Sequence, residues 1–460
     1  MLFAVIPAIA QVEQPSRESP QVVVTPGNPT PSVATADVTS TTSVPVKPAP
    51  VTATGSETPT AEKSEPSKAS PSRSQEASPE KAAPAPTKPS KPRIVVVSWA
   101  GAYGDAQKKA IIDPLSRDLD IDIERRTHGK SASAIDADVM EQDQSTLIAA
   151  CAAGRLVKIG SLLSPAERSE IATTDAGGDF LANSVSDCGV PTFAWSSMLI
   201  ANGEAMKKLA KRRYREPTRL ANLLDVKRFP GRRALIRNPK RLLEMMLMGT
   251  GVERKDVYAV LSTRQGQDVA FEALDRLSKH VLWVDGPREA LLALDQAGVT
   301  MAMTFSGRAF RRLIATRLQP IWDGHVIDFA AWAVPKTAPN RDAAKRFILA
   351  ATRADRLAAQ ARIWPYGPMR RSALPLARRH DLLDADLDAF MPTSELRLAQ
   401  GLVLDAAFWA EHGAALQMRF DDWLAGIPLG IRVPVPVKAP PAPLPPLPKR
   451  GAAGTDDAVR

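Results

Sequence analysis

With 460 residues, 60 of them basic and 50 acidic, the chain carries a net charge of +10 and is long enough for two or three domains. No run reaches the 18 or more apolar residues of a membrane span. Seventeen of the 40 prolines fall within residues 1–92, a composition that excludes a packed core there.

Residues 1–10, MLFAVIPAIA, are apolar and end in a small-residue junction, as a secretory signal does, but lack its basic n-region. They read either as a truncated signal peptide, the favoured alternative, or as an incidental apolar run. Residues 11–92 read as a disordered Pro/Ser/Thr-rich arm with polyproline-II character. That arm is charge-balanced, eight basic against eight acidic side chains through Pro92, so the whole positive excess lies beyond it. Ordered structure is predicted to begin with the strand Ile94–Ser98, a glycine turn, and a helix marked by Ala106, Ala110, Ile111 and Leu115. A short strand over Ile121–Glu124 completes a βαβ-like start. TLIAACAAGRLVKI reads as a helix leaving at Gly154, and 190–201 as a long buried strand. Strand 233–237 precedes a helix with Asn238 as cap and Pro239 at its first position, ending at Gly249 or Gly251. VLWVD, PREALLALDQAG, VTMAMTFSG and RAFRRLIAT continue the strand–helix alternation, followed by the segment WDGHVIDFAAWAVPK at 322–336 and two long helical stretches. Alternation of this kind predicts an α/β protein with two lobes. Residues 433–460 read as a second proline-rich tail, expected to be disordered.

The sequence has no P-loop, no GxGxxG after a strand, no HExxH and no GxSxG, and its five histidines are scattered without metal-ligand spacing. An enzyme is not expected, nor a cofactor or a metal. The basic run KKLAKRRYREPTR (207–219) has no nucleic-acid-binding aromatic motif beside it and reads as a solvated helix face. Cys151 and Cys188 are the two cysteines. They are buried thiols in a reducing compartment or a bridge in a secreted protein.

The ordered series VVVSWAGAYGDAQKKAIIDPLSRDLDI, ACAAGRLVKI, SDCGVPTFAWSSML, DVKRFPGRRALIRNPKRLLEMML, MTFSGRAF, WDGHVIDFAAWAVPK, IWPYGPMRRSAL and DAAFWAEHG covers nearly all of residues 93–425. It resembles the periplasmic substrate-binding proteins of ABC importers, of the spermidine/putrescine-binding type. The resemblance implies a type II, Venus-flytrap clamp of two α/β lobes hinged by crossing strands, with a small solute enclosed between them. Lobe one is expected at 93–197 with 331–375, and lobe two at 198–330 with 376–428. It further implies a Cys151–Cys188 disulfide, a periplasmic protein secreted across the inner membrane, a monomer, and an ABC permease in the inner membrane as partner, with no nucleic acid.

For the site, the resemblance places Trp99, Tyr103, Phe305, Trp332 and Tyr366 as aromatic walls, with Asp143, Ser145 and Asp328 as polar anchors. A polyamine needs such walls for cation–π contact and carboxylates for each ammonium. Several positions depart from the family pattern. Ala330 stands where a second acid is common in the crossing strand. Phe305-Ser306-Gly307-Arg308 replaces Tyr-Asn-Gly-Arg, and Asn238, Lys240 and Arg241 stand where polyamine binders carry acids. A helix start with two cations suits an anion better than an ammonium. The expected ligand is therefore a polyamine-like cation or, alternatively, a different and acidic solute facing Arg241 or Arg308. A third alternative is a degenerate clamp serving as a protein-interaction module through its proline-rich ends.

Overall fold

The computed structural model describes residues 91–128, 137–182, 184–210 and 213–426. The readings of residues 1–90 and 433–460 as signal, arm and tail lie outside them. One sheet of ten strands runs through the described fold. Its strands are β1 (Arg93–Ser98), β2 (Asp122–Thr127), β3 (Val139–Asp143), β4 (Gly189–Ala201), β5 (Arg232–Ile236), β6 (Val281–Val284), β7 (Val299–Phe305), β8 (Gln319–Ala333), β9 (Gly367–Pro368) and β10 (Leu402–Val403). The main order is β2-β1-β3-β8-β4-β7-β5-β6, with β10 beside β8 and β9 beside β4.

The valines and isoleucines of β1 and β5 fit a pleated, covered surface. Each of these strands is parallel to both of its neighbours, the pattern of α/β layers with helices on both faces. The long pair is different. β4 and β8 are antiparallel from Gly189–Ala333 to Ala201–Gln319, with register shifts between Pro191 and Ala194 and between Ser197 and Leu199. The ends of these two strands belong to different lobes. Near Ala333, β8 joins β3 and β1; near Ala201, β4 joins β7 and β5. WDGHVIDFAAWAVPK is therefore a crossing strand.

Each lobe has its own core. One gathers Ile94, Ile111, Val190, Trp332, Phe347 and Leu357; the other gathers Met198, Leu235, Met246, Leu274, Phe408 and Phe420. The chain beyond 375 divides between them. Ala377, Ala385, Leu387 and Met391 bury in the first core, and only from Leu402 onward, through the helix Ala406–Gly426, does the chain join the second. The sequence reading puts all of 376–428 in lobe two. The difference arises because small alanines and short 3-10 turns in 371–377 keep that stretch against the helix Ala354–Ile363.

Cys151 and Cys188 form a disulfide with Cα atoms 5.9 Å apart, clipping the helix Gln144–Ala152 to the start of β4. No helix among the described residues is long and apolar enough to cross a membrane.

Candidate functional site

A cavity of about 460 Å³ is lined from both lobes and the crossing strands. Trp99 and Ala100 leave β1, Tyr103 opens the following helix, and Asp143 ends β3. Opposite them, Asn238, Lys240 and Arg241 follow β5, Phe305 ends β7 and Arg308 lies in the helix Ser306–Ala315. The carboxyl ends of parallel strands converge here, where open α/β sheets bind their ligands. Alternation along the crossing strands divides the sides: Trp195 and Ala330 line this cavity, whereas Ala194, Ile327 and Phe329 line another of about 1060 Å³ on the opposite face. The larger cavity has one aromatic in its wall, Phe329, and the smaller has six. Size notwithstanding, the smaller one has the chemistry of a recognition site.

Its aromatic wall is fixed from behind. The Tyr103 hydroxyl donates to Glu141 at 2.6 Å, and the same buried carboxylate accepts from Ser98 Oγ (2.9 Å), Gln107 Nε2 (2.9 Å) and Thr192 Oγ1 (2.8 Å). Burial, and then the Glu141 charge, push the Tyr103 hydroxyl well above the ordinary tyrosine range, so it remains a proton donor. Tyr366 lies 5.6 Å from Tyr103 and 6.1 Å from Trp195 between ring centroids. It packs on the helix Ser306–Ala315 because residue 307 is glycine; a Cβ there would sit 2.4 Å from the tyrosine ring. Phe305 completes the wall 6.1 Å from Trp195.

The charged wall is built from a turn. Asn238 Oδ1 accepts from the backbone N–H of Lys240 at 2.9 Å, Pro239 follows Asn238, and Arg241 adopts φ +73 before the helix Leu242–Gly249. The helix thus starts later than the sequence pattern predicts, because the Asn238 side chain closes a local turn in place of a helix cap. A left-handed arginine is a strained conformation. Here it accompanies an ion pair from Arg241 Nη1 to Asp328 Oδ2 at 2.8 Å, with the guanidinium 5.3 Å over the Phe305 ring. Lys240 reaches across the cleft to Asp143 Oδ1 (2.9 Å) and Ser145 Oγ (2.6 Å), and lies 3.7 Å from Asp328. Burial raises the pKa of Asp143, but the Lys240 charge and hydrogen bonds from Thr146, Lys240 and Ser145 outweigh it and hold the carboxyl well below its usual range. Arg308 is exposed toward the cavity and makes no hydrogen bond or ion pair among the described residues. The Trp195 indole N–H and Arg241 Nε are buried with no acceptor among the described residues.

Of the twelve ligand residues expected from sequence, nine line the cavity: Trp99, Tyr103, Asp143, Ser145, Asn238, Arg241, Phe305, Arg308 and Tyr366. Three do not. Asp328, 1% exposed, sits behind the wall and acts through Arg241 and Lys240. Ser306 is buried and accepts the backbone N–H of Ser196 at 3.2 Å. Trp332 is fully buried in the first core, edge-on to Phe347 at 5.4 Å, because the crossing strand has already entered the lobe at that point. The lining also takes in Ala100, Thr146, Phe193, Trp195, Lys240 and Ala330, of which the sequence points to Lys240 and Ala330 only as departures from the family pattern. Alternation along β4 signals Trp195, but nothing local announces that Lys240 spans the cleft.

Comparison with known proteins agrees with this architecture. The family model for bacterial extracellular solute-binding proteins matches residues 117–386. The gamma-aminobutyric acid-binding protein of Pseudomonas aeruginosa is 29% identical over 342 residues, covering 72% of this chain and 91% of its own. The binding protein MotA of A. tumefaciens B6, solved in complex with glucopine, is 25% identical with a TM-score of 0.60, over 72% of this chain and 99% of its own. A spermidine/putrescine substrate-binding protein of Streptococcus pneumoniae shares the fold at 15% identity and a TM-score of 0.53, over 72% and 99% of the two chains.

Proposed function

The chain belongs to the bacterial extracellular solute-binding proteins, binders rather than enzymes, and on that premise we propose that it captures a small carboxylate-bearing solute in the periplasm and delivers it to an ABC permease in the inner membrane. The observation that carries this reading is the charge left over in the wall. Asp143 is engaged by Lys240 and Asp328 by Arg241, while Arg308 lines the cavity without a hydrogen bond or ion pair among the described residues. Net positive charge in a small cavity favours an anionic group, and a guanidinium binds a carboxylate through paired hydrogen bonds.

Trp99, Tyr103, Phe305 and Tyr366 supply aromatic surface for a methylene or sugar stem and for an amine carried on it. The relatives that bind gamma-aminobutyric acid and glucopine, both amine-bearing acids, support this class of solute. The polyamine alternative has less support. Its two candidate carboxylates already hold cations of the protein, and Ala330 offers no third.

A thermal-shift screen of the full chain tests the proposal, with gamma-aminobutyrate, opines, amino acids, dicarboxylates, putrescine and spermidine. A ligand at 100 times its Kd adds about 2.7 kcal/mol of stability. Stabilisation by an amine-bearing acid is the expected result. Stabilisation by putrescine or spermidine and by none of the acids would reverse it.

A further inference from the structure

The Lys240 ammonium sits among three acceptors drawn from different parts of the fold: Asp143 Oδ1 at 2.9 Å, Ser145 Oγ at 2.6 Å and Asp328 Oδ2 at 3.7 Å. Asp143 and Ser145 open the helix Gln144–Ala152, and Asp328 lies on the crossing strand. A primary ammonium has three N–H donors and no acceptor, so a cage of two carboxylates and one hydroxyl is what it requires. The cage is also ordered without the lysine. Ser145 Oγ donates to Asp143 Oδ1 at 2.7 Å, and Thr146 Oγ1 donates to Asp143 Oδ2 at 2.6 Å. The Asn238 turn and Pro239 hold the backbone of Lys240 on the opposite lobe, and its side chain is 15% exposed.

We infer that Lys240 is a tethered substitute for a ligand ammonium, and that it sets this cavity for acids by filling the amine subsite from within. The inference deepens the acid-binding reading and rests on it for the identity of the natural ligand. It accounts for a site that has carboxylates at both Asp143 and Asp328 and yet has a positive wall. With Lys240 in place, a diamine would meet Arg308 and a neutralised Asp143; without it, Asp143 would face the cavity unneutralised while Asp328 stays paired with Arg241 behind the wall.

The test is a selectivity change. Purified full-length wild type, Lys240→Ala and Lys240→Gln are titrated calorimetrically with putrescine and with the acid ligand that the screen returns. Both neutral variants should bind putrescine at least tenfold more tightly than wild type, with Lys240→Ala gaining more because it also opens space. Methylammonium should compete with putrescine in Lys240→Ala, and adding Asp143→Asn should abolish the gain. Lys240→Arg, which keeps the charge, should show none. A folded neutral variant with unchanged putrescine affinity would overturn the inference. So would failure of both neutral variants to fold, which would make Lys240 a structural tie between the lobes. The outcomes are separable from those of the functional reading. A wild type that binds no acid sinks that reading, whereas the putrescine titrations report on Lys240 alone.

Discussion

The two walls of the cavity are made in opposite ways. The wall from the first lobe is aromatic and held by a closed hydrogen-bond set, in which one buried carboxylate, Glu141, serves Ser98, Tyr103, Gln107 and Thr192. The wall from the second lobe is cationic and stands on a turn with a left-handed arginine, its charges partnered by side chains outside that lobe's own core. The contrast separates shape from charge. Rings carried mostly on strands and strand ends, with Tyr103 alone on a helix, define a slot, and a short turn decides what charge may enter it. Substitutions in the first wall should therefore cost folding stability, and substitutions in the second should cost affinity or selectivity.

The largest expected effect breaks the first wall at its anchor. Glu141→Leu removes the acceptor of the Tyr103 hydroxyl and the Gln107 amide, while Ser98 and Thr192 keep Gln107 Oε1 and the Ala330 carbonyl as acceptors. It should lower the free energy of unfolding by about 4 kcal/mol, at 1–3 kcal/mol for each of the two groups left unsatisfied. Urea unfolding of the full chain measures it, and a loss below about 1 kcal/mol would mean that the network is not what fixes Tyr103. Next, Cys151→Ser removes a 37-residue cross-link in the same lobe. In the chain-entropy model that costs about 3–4 kcal/mol, visible as a lowered melting temperature of the oxidised protein.

Outside the cavity lining, on the crossing strand, His325 is fully buried, with Nδ1 2.7 Å from Ser196 Oγ and Nε2 2.9 Å from the Arg397 carbonyl. Burial drives its pKa down to about 4, and the nearby arginines add to the fall, against the raising effect of the Arg397 carbonyl. The folded value lies below the unfolded one, so the unfolded chain binds the proton first. Stability from this group is fully present above about pH 6.5 and is lost as pH falls toward 4, in total about 3 kcal/mol. Urea midpoints from pH 7.5 to 4 should fall by more in wild type than in His325→Gln; parallel curves would remove the histidine from the account.

The smallest effect on folding is expected at Arg308. Arg308→Ala should leave unfolding within about 0.5 kcal/mol of wild type, because the side chain is exposed, while weakening an acid ligand about tenfold by calorimetry. An equal loss at Glu141 and Arg308 in either assay would erase the distinction between the walls.

Much of the fold is legible in the residues because its signals are local. The β-branched run of β1, the apolar lengths of β4 and β8, and the glycine after the helix Gln144–Ala152 each mark an element without help from the rest of the chain. The start of the helix Leu242–Gly249 is hidden for a reason equally local but ambiguous. Asn238 and Pro239 form a helix cap or a turn with the same atoms, and the left-handed Arg241 decides between them. The site is legible where a strand end fixes a residue's position, as at Trp99, Asp143 and Phe305. It is illegible where depth matters. Trp332 looks like a neighbour of Ala330, yet two residues along a strand are enough to carry a side chain from a cavity wall into a core. Lys240 depends on a partner 97 positions away, Asp143, which no local pattern encodes.

The crossing strands have a mechanical consequence. β4 and β8 are paired at both ends, in the first lobe at Gly189–Ala333 and in the second at Ala201–Gln319. Any change in the angle between the lobes must therefore twist this ribbon, along with the third passage of chain between Met391 and Leu402. Such ribbons tolerate a wide range of twist, and this one is interrupted between Pro191 and Ala194 and between Ser197 and Leu199, where the ladder yields most easily. Trp195 lies between the two interruptions and lines the cavity. The elastic element of the molecule and a wall of its binding cavity are thus the same short stretch of chain.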